Sequence, residues 1–570
     1  MNELTSIIIS LVGGLAILIA LPAGLGIAMH AYTRFPRVAM PALAAALALV
    51  PPLGLILNGR NLSIKNLSFD GQIDPSGLAA WIFRLTSASV IAIAVTATLV
   101  YLMKRTKHDP AGRILLVGFI TFFVTNVLLN GLFGSVPSLV TAHVYAMLVI
   151  GALYVNRIYG IADVLWALKW GVFLLMAGSL AYMVVSPQVV MQTNTTEIRL
   201  PFVNFRFWGL GDGPNSIGPM GLMLFLITIY QPFKRTILTL ASMAAGLTVM
   251  VLAQSMTTWI AAAVIVPPYL LIRFLSHPTK GQGRSLSPFA SISLISLGGA
   301  VILGAGAILL DLNALQATLG EFVGLARGQE SAALSGRAGI WKVAVRVFLE
   351  NPLFGYGPTA WDLDFRAKIN MFFAFHAHNL FFQSLSVAGL FGVAGLIFYV
   401  ATMGWQAWKL TWYTRGLAPA LFAMFMFRSI SEVPLELSSI LTGTFLMHLT
   451  LFHVLCAGAW ELAQPKPVPE TTAGNPKTPR TIIPDPVRRP SAPALGRAPT
   501  GRARGSAELP PGLGVQASND LPRRTAPTLA MRKPMHTESA GQPKKAAKSA
   551  PDRPANEPDQ LGRIEPRFDL

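Results

Sequence analysis

Between residues 5 and 458 the chain returns again and again to unbroken apolar runs. Each is close to the roughly 20 residues that carry an α-helix across a bilayer core. In lipid a chain must satisfy its own backbone polar groups, and an uninterrupted run does this by coiling into a helix. The sequence therefore reads as an all-α polytopic integral membrane protein with about 12–13 transmembrane helices. Its charged fraction, 12%, is about half that of a soluble domain. The spans read by hydropathy are 6–29, 39–57, 79–103, 114–132, 137–155, 168–186, 216–232, 236–253, 257–276, 289–310, 379–405, 416–433 and 437–458. The segment 160–170 (GIADVLWALK) reads equally as an interfacial stretch. The first run follows no basic region, so it reads as a retained anchor rather than a cleaved signal.

Lysine and arginine in short loops orient a membrane protein with those loops inside. With the N-terminus outside, the clusters Arg34/Arg37, Lys104/Arg105/Lys107/Arg113, Arg157, Lys234/Arg235, Arg273/Lys280/Arg284 and Lys409/Arg415 all fall in the cytoplasm. The net charge of +19 does not signal nucleic-acid binding, because 18 of the 45 Lys+Arg residues lie in the tail and most of the rest in these loops. The organisation expected is N-terminal helices over 1–190, a helical core over 191–462, and a basic, Pro-rich, disordered cytoplasmic tail over 463–570. The tail's clusters Arg488/Arg489, Arg523/Arg524 and Lys544/Lys545/Lys548 suit anionic inner-leaflet lipid as well as plain solvation. A single cysteine, Cys456, excludes an internal disulfide.

Three sizeable loops fall outside, 58–78, 187–215 and 311–378, and outer-face chemistry must come from them or from adjoining helix ends. In the longest, Ile340, Val343, Ala344, Val347 and Phe348 form one helical stripe, ended by Pro352 and GYGP. Arg337 opens this helix, while Lys342 and Arg346 stand on its polar side. One reading is an amphipathic helix lying on the membrane surface. The other is a set of cations for a substrate diphosphate, whose oxygens a guanidinium matches in pairs. The loop 187–215 supplies Arg206 and Trp208, then a Gly/Pro-rich turn leading into a helix at Ser216. His378, followed by Asn379 at the mouth of the span 379–405, suits a general base near neutral pH, and His376 is the alternative.

Among the charges that fall within spans, Arg84 and Arg428 are singled out, and Glu432 follows Arg428 at the i+4 spacing of a helical ion pair. Charges at such depth usually face a cavity or the bundle interior. Phosphate loops, nucleophile elbows and dinucleotide fingerprints are missing from the sequence, and two nearby histidines alone do not close a metal site.

The stretch HNLFFQSLSVAGLFG resembles the His-Asn…Gln…Gly-x-x-Gly signature of the O-antigen ligase/polymerase superfamily. SGRAGIWKVAVRVFLENPLFGYGP, FRFWGLGDGPNSIG and AQSMTTWIAAAV resemble that family's other elements, in order, over roughly residues 200–440. Trp341 stands where its ligases often carry Leu, which with the Gln-Ser form of residues 254–255 points to a polymerase-like, exopolysaccharide-type member. The resemblance implies glycosyl transfer without metal or other cofactor, on the periplasmic face of a bacterial inner membrane. The implied partners are an undecaprenyl-diphosphate-linked oligosaccharide, the lipid bilayer and other polysaccharide-assembly proteins, with no nucleic acid. It casts His378 and Arg337 as catalytic, and Arg206, Arg337, Arg346 and Lys342 as diphosphate-binding. Asn379, Trp341, Glu432 and Arg428 become supporting residues. The alternatives are a ligase moving a finished glycan to lipid A core or protein, and a polysaccharide flippase or transporter. Arg84 and the Arg428/Glu432 pair are the features that favour a transporter.

Overall fold

The computed structural model describes residues 26–63 (except 31 and 36), 77–103, 111–193 (except 157 and 158), 195, 198–276 (except 201) and 337–464. Most of span 6–29, span 289–310, loop residues 64–76 and 311–336, and the expected disordered tail after 464 lie outside the described residues. All described residues belong to one compact unit.

The apolar runs are helices, in the order α1 (Ala39–Leu57), α2 (Gly77–Met103), α3 (Arg113–Phe133), α4 (Thr141–Val155), α5 (Ile161–Val185), α6 (Pro214–Tyr230), α7 (Thr236–Leu252), α8 (Met256–Leu275), α9 (Arg337–Glu350), α10 (Leu363–Lys368), α11 (Leu380–Lys409), α12 (Leu417–Ser431) and α13 (Gly443–Ala463). Among the described residues seven, α1, α2, α3, α5, α8, α11 and α13, are long and apolar enough to cross a membrane, and α4, α6, α7 and α12 are shorter apolar helices. Among the described residues the only strands are β1 (Met191–Gln192) and β2 (Arg206–Phe207), an antiparallel pair. One continuous buried core runs from Tyr32 to Ala457 and crosses residue 190 without a break.

Several boundaries move for local reasons. The span expected at 168–186 begins at Ile161, so GIADVLWALK is helix, not interfacial loop. Lys169 lowers the hydropathy there, yet it is buried: its ammonium donates to the Gln231 carbonyl and lies over the Phe233 ring. Pro137 delays α4 to Thr141. Pro434 follows α12, and α13 waits for Thr442, whose hydroxyl caps it through Phe445 N.

Arg84 departs from the interior position expected of it. It is exposed near the start of α2 with its guanidinium over Trp81, as a long cation does when it reaches toward the interface.

The glycines that follow His378 shape how α11 is built and packed. Gly389 breaks α11 with φ 62 and ψ −154, a region open essentially to glycine alone. The PLFGYG turn docks into this break. Leu390 N and Phe391 N donate to the Pro352 and Leu353 carbonyls, and Tyr356 N and Gly357 N donate to those of Ser386 and Val387. The turn's other edge receives Ser135 N and Val136 N from the end of α3. Gly392 and Gly395 let α11 approach the π-helical turn Val124–Leu129 of α3, where Asn126 donates to the Gly392 carbonyl at 2.9 Å.

The amphipathic α9 turns its apolar stripe to protein rather than to lipid. Ile340, Ala344 and Val347 are buried with Ala360, Trp361, Phe365, Ala374 and Ala377 in a small second core. This lid packs on α11 and anchors the segment that carries the histidines.

Candidate active site

The segments 199–215, 371–379 and 428–444 meet at one end of the bundle. His376 and His378 sit on a short connection between α10 and α11 that is pinned from three sides. Trp341 of α9 stacks on Phe382 at 5.1 Å and donates its indole N–H to the Ala377 carbonyl. Gln383 accepts from Ala377 N. Asn379 caps α11 by accepting from Phe381 N and Phe382 N, and donates to the Ile430 carbonyl at the end of α12. Asn379 and Trp341 thus hold the site's backbone. His378 itself adopts φ 48, a left-handed conformation costly for a non-glycine residue.

Glu432 is the centre of the cluster. Its backbone is extended (φ −149, ψ 179) at the end of α12, so it leaves the helical face on which the i+4 spacing would pair it with Arg428. No ion pair joins the two among the described residues. Arg428 instead donates to Thr444 Oγ1 and Met447 Sδ. The Glu432 carboxylate accepts from Asn215 Nδ2 at 2.8 Å, and its Oε2 lies 3.3 Å from His376 Nε2 and 3.7 Å from His378 Nδ1. Asn215 in turn accepts from Arg206 at 3.4 Å, so one polar chain links Arg206, Asn215, Glu432 and the two imidazoles. Arg337 acts electrostatically on both Arg206 and His376. Lys342 and Arg346 lie exposed on α9, on the side away from its buried stripe.

The imidazoles are not equivalent. Burial, then His378, pushes His376 down to about 4, so its ring is neutral at neutral pH. Its Nδ1 accepts from His378 N, which leaves the ring proton on Nε2 facing Glu432. Both nitrogens of His376 are therefore occupied. His378 Nδ1 has no hydrogen-bond partner among the described residues. Burial works to raise the Glu432 carboxyl, but the His378 and His376 imidazoles and Arg428 outweigh it and hold the group below the usual carboxylate range. Arg206 is lowered to about 10, chiefly by burial, and stays charged at neutral pH. A narrow cleft runs beside Glu432 between α6, α8 and α12, with Asn215, Ser255, Thr258 and Arg428 at its polar end and Leu222, Met424 and Phe427 in its apolar wall.

His376, His378 and Glu432 present three ligand-type atoms within 4.8 Å of one another. The charge around them disfavours a divalent cation, because Arg428 and Arg337 already act on this same group. The arrangement suits an anion beside the arginines and a proton acceptor beside the carboxylate.

Sequence reading brought out Arg206, Arg337, His376, His378 and Glu432, all of which converge here. It missed Asn215, which in NSIG looks like an ordinary helix-start residue. Trp208, the aromatic that the same loop supplies, donates its Nε1–H to Gln192 Oε1.

A search of curated proteins finds no match. Residues 240–400 match the family described as O-Antigen ligase. The matched stretch holds Arg337, Trp341, His376, His378 and Asn379, while Arg206, Asn215, Arg428 and Glu432 flank it. Over that stretch the chain is similar to this family, and the match, with the multi-pass helical fold, supports the resemblance to the O-antigen ligase/polymerase superfamily.

Proposed function

We propose that this chain is a membrane glycosyltransferase that polymerises undecaprenyl-diphosphate-linked oligosaccharide repeat units into a surface or exopolysaccharide on the periplasmic face of a bacterial inner membrane. The observation that carries this reading is the chain Arg206–Asn215–Glu432–His376/His378, with Arg337 in electrostatic reach. It sets half-buried guanidinium charge near an imidazole with a carboxylate behind it.

In this mechanism the acceptor sugar hydroxyl gives its proton to the imidazole of His378. The hydroxyl oxygen forms the new bond to the anomeric carbon of the donor. The bond from that carbon to the lipid diphosphate breaks, and its electron pair leaves on the diphosphate oxygen. Charge grows on that oxygen in the transition state, where Arg206 and Arg337 stabilise it from fixed positions. Glu432 is 3.7 Å from His378 Nδ1; a slight tightening makes Nδ1–H a donor to the carboxylate and leaves Nε2 to take the proton, since catalytic hydrogen bonds often shorten only with substrate in place. Exposed Lys342 and Arg346 serve as outer attraction for the anionic donor. Residues 463–570 serve as a cytoplasmic tail dispensable for the chemistry.

The ligase reading shares this chemistry and is supported by the family description. The transporter reading loses its support, because Arg84 lies exposed and Arg428 and Glu432 do not form their ion pair. Deleting the gene and examining polymer length and the lipid-linked pool separates the first two. A polymerase leaves single-repeat products, whereas a ligase leaves long lipid-linked chains with unmodified acceptor. Arg337→Ala and His378→Ala are each expected to abolish product at normal protein level, and Arg337→Lys to restore little. Normal product from both alanine variants would sink the mechanism.

A further inference from the structure

Arg206 reaches the site on the two-residue strand β2, paired with Gln192 in β1, and the loop around this short ladder is held from outside. Two buried side chains hold it. Arg60 donates to the carbonyls of Val189, Gly209 and Gly211, gripping the base of the loop. Gln254, in the connection between α7 and α8, grips the limb that leads into β2. Its Oε1 accepts from Arg199 N at 2.5 Å and Leu200 N at 3.2 Å, and its Nε2 donates to the Phe205 carbonyl at 2.7 Å. Phe205 is the residue immediately before Arg206. Gln254 has no solvent exposure and holds φ 53, a strained backbone conformation for a residue with a side chain. All its hydrogen-bonding capacity that these distances describe is spent on a loop some 50 residues away in sequence. The adjoining Ser255 lines the same cleft as Asn215 and Glu432.

We infer that Gln254 is a positioning residue, which acts through Arg206 by locking the 199–205 limb so that the guanidinium meets the donor diphosphate. The inference rests on the diphosphate role given to Arg206 above. Without the clamp Arg206 keeps its charge but loses its fixed place, and a guanidinium must be pre-placed to pair with phosphate oxygens at low entropic cost.

The test is binding of undecaprenyl diphosphate to the full chain in lipid nanodiscs, for Arg206→Ala, Gln254→Met and the double variant. Methionine keeps the side-chain length and removes every hydrogen bond. Each single change should weaken binding roughly tenfold, and the double variant should bind no more weakly than Arg206→Ala alone. A residue that merely stabilises the bundle would not show this coupling. Wild-type affinity in Gln254→Met, or effects that multiply in the double variant, would overturn the inference while leaving the diphosphate reading intact. Wild-type affinity in Arg206→Ala would remove that reading, and the inference with it. If Gln254→Met does not yield folded protein, Gln254→Leu also removes the side-chain bonds to Arg199 N, Leu200 N and the Phe205 carbonyl and introduces no charge. It should weaken binding several-fold, again without adding to Arg206→Ala, and unchanged affinity would refute the proposal.

Discussion

Replacing Gly389 by alanine tests how the outer lid is joined to the membrane helix that carries the site. Gly389 has φ 62 and ψ −154, and a methyl group there would stand 2.6 Å from the Leu353 carbonyl carbon and oxygen and from the Pro352 oxygen. The backbone conformation alone costs an L-residue about 1–3 kcal/mol. The clash has no flexible side chain to absorb it, because every atom met is backbone. Relief requires the turn to retreat, breaking Leu390 N to Pro352 O and Phe391 N to Leu353 O, at roughly 0.5–1.5 kcal/mol each. The sum is about 2–6 kcal/mol, at the upper end of what single substitutions do. The control is Gly151, in α4, where a methyl group meets nothing within 4 Å. Gly151→Ala should be neutral or stabilising by up to about 1 kcal/mol, because alanine is the better helix former. The assay is the thermal midpoint of purified protein, paired with hydrogen exchange over 352–357 and 376–391. Gly389→Ala should lower the midpoint and speed exchange in both segments. A midpoint equal to that of Gly151→Ala would refute the argument that this glycine is required by the docked turn.

Other outcomes follow from the site. Glu432→Gln keeps shape but removes the charge facing both imidazoles, and should cut chain formation at least about tenfold with normal protein level; an unchanged rate would free Glu432 of any role in catalysis. Trp341→Phe keeps the stack on Phe382 and loses only the bond to the Ala377 carbonyl, costing about 1 kcal/mol. Trp341→Ala loses both and should cost more; equal midpoints for the two would remove the indole as an anchor. His376 carries a pH signature. Its ring titrates near 4 when folded, against 6.5 ordinarily, so the unfolded chain binds the proton first. Stability is then lost as pH falls from about 6.5 to about 4, by ~3 kcal/mol at most. His376→Gln should flatten that slope in the thermal midpoint, and an unaltered slope would assign it to other groups.

The legibility of this chain follows from the solvent it is built for. Lipid offers the backbone no partners, so a long apolar run leaves helix as its only choice, and the eleven spans that fall on described residues are helices in the order expected. Local chemistry was equally readable: Asn379 sits at a helix mouth as a cap should, and Pro352 follows the end of α9. Sequence patterns also brought out the residue types suited to an anionic donor, Arg206, Arg337, His376 and His378. What failed did so wherever a side chain's meaning depends on a distant partner. The stretch around Lys169 reads as interfacial until Gln231 and Phe233 are placed beside its ammonium. The i+4 spacing of Arg428 and Glu432 reads as an ion pair until Glu432 turns out of the helix to meet Asn215 and the histidines. Gln254 is an ordinary polar residue before a helix until three backbone groups from 199–205 close around it. Periodicity and hydropathy are properties of neighbours along the chain, and they determined the helices. Convergence of separate segments on Glu432 is a property of packing, and only the tertiary structure decided it.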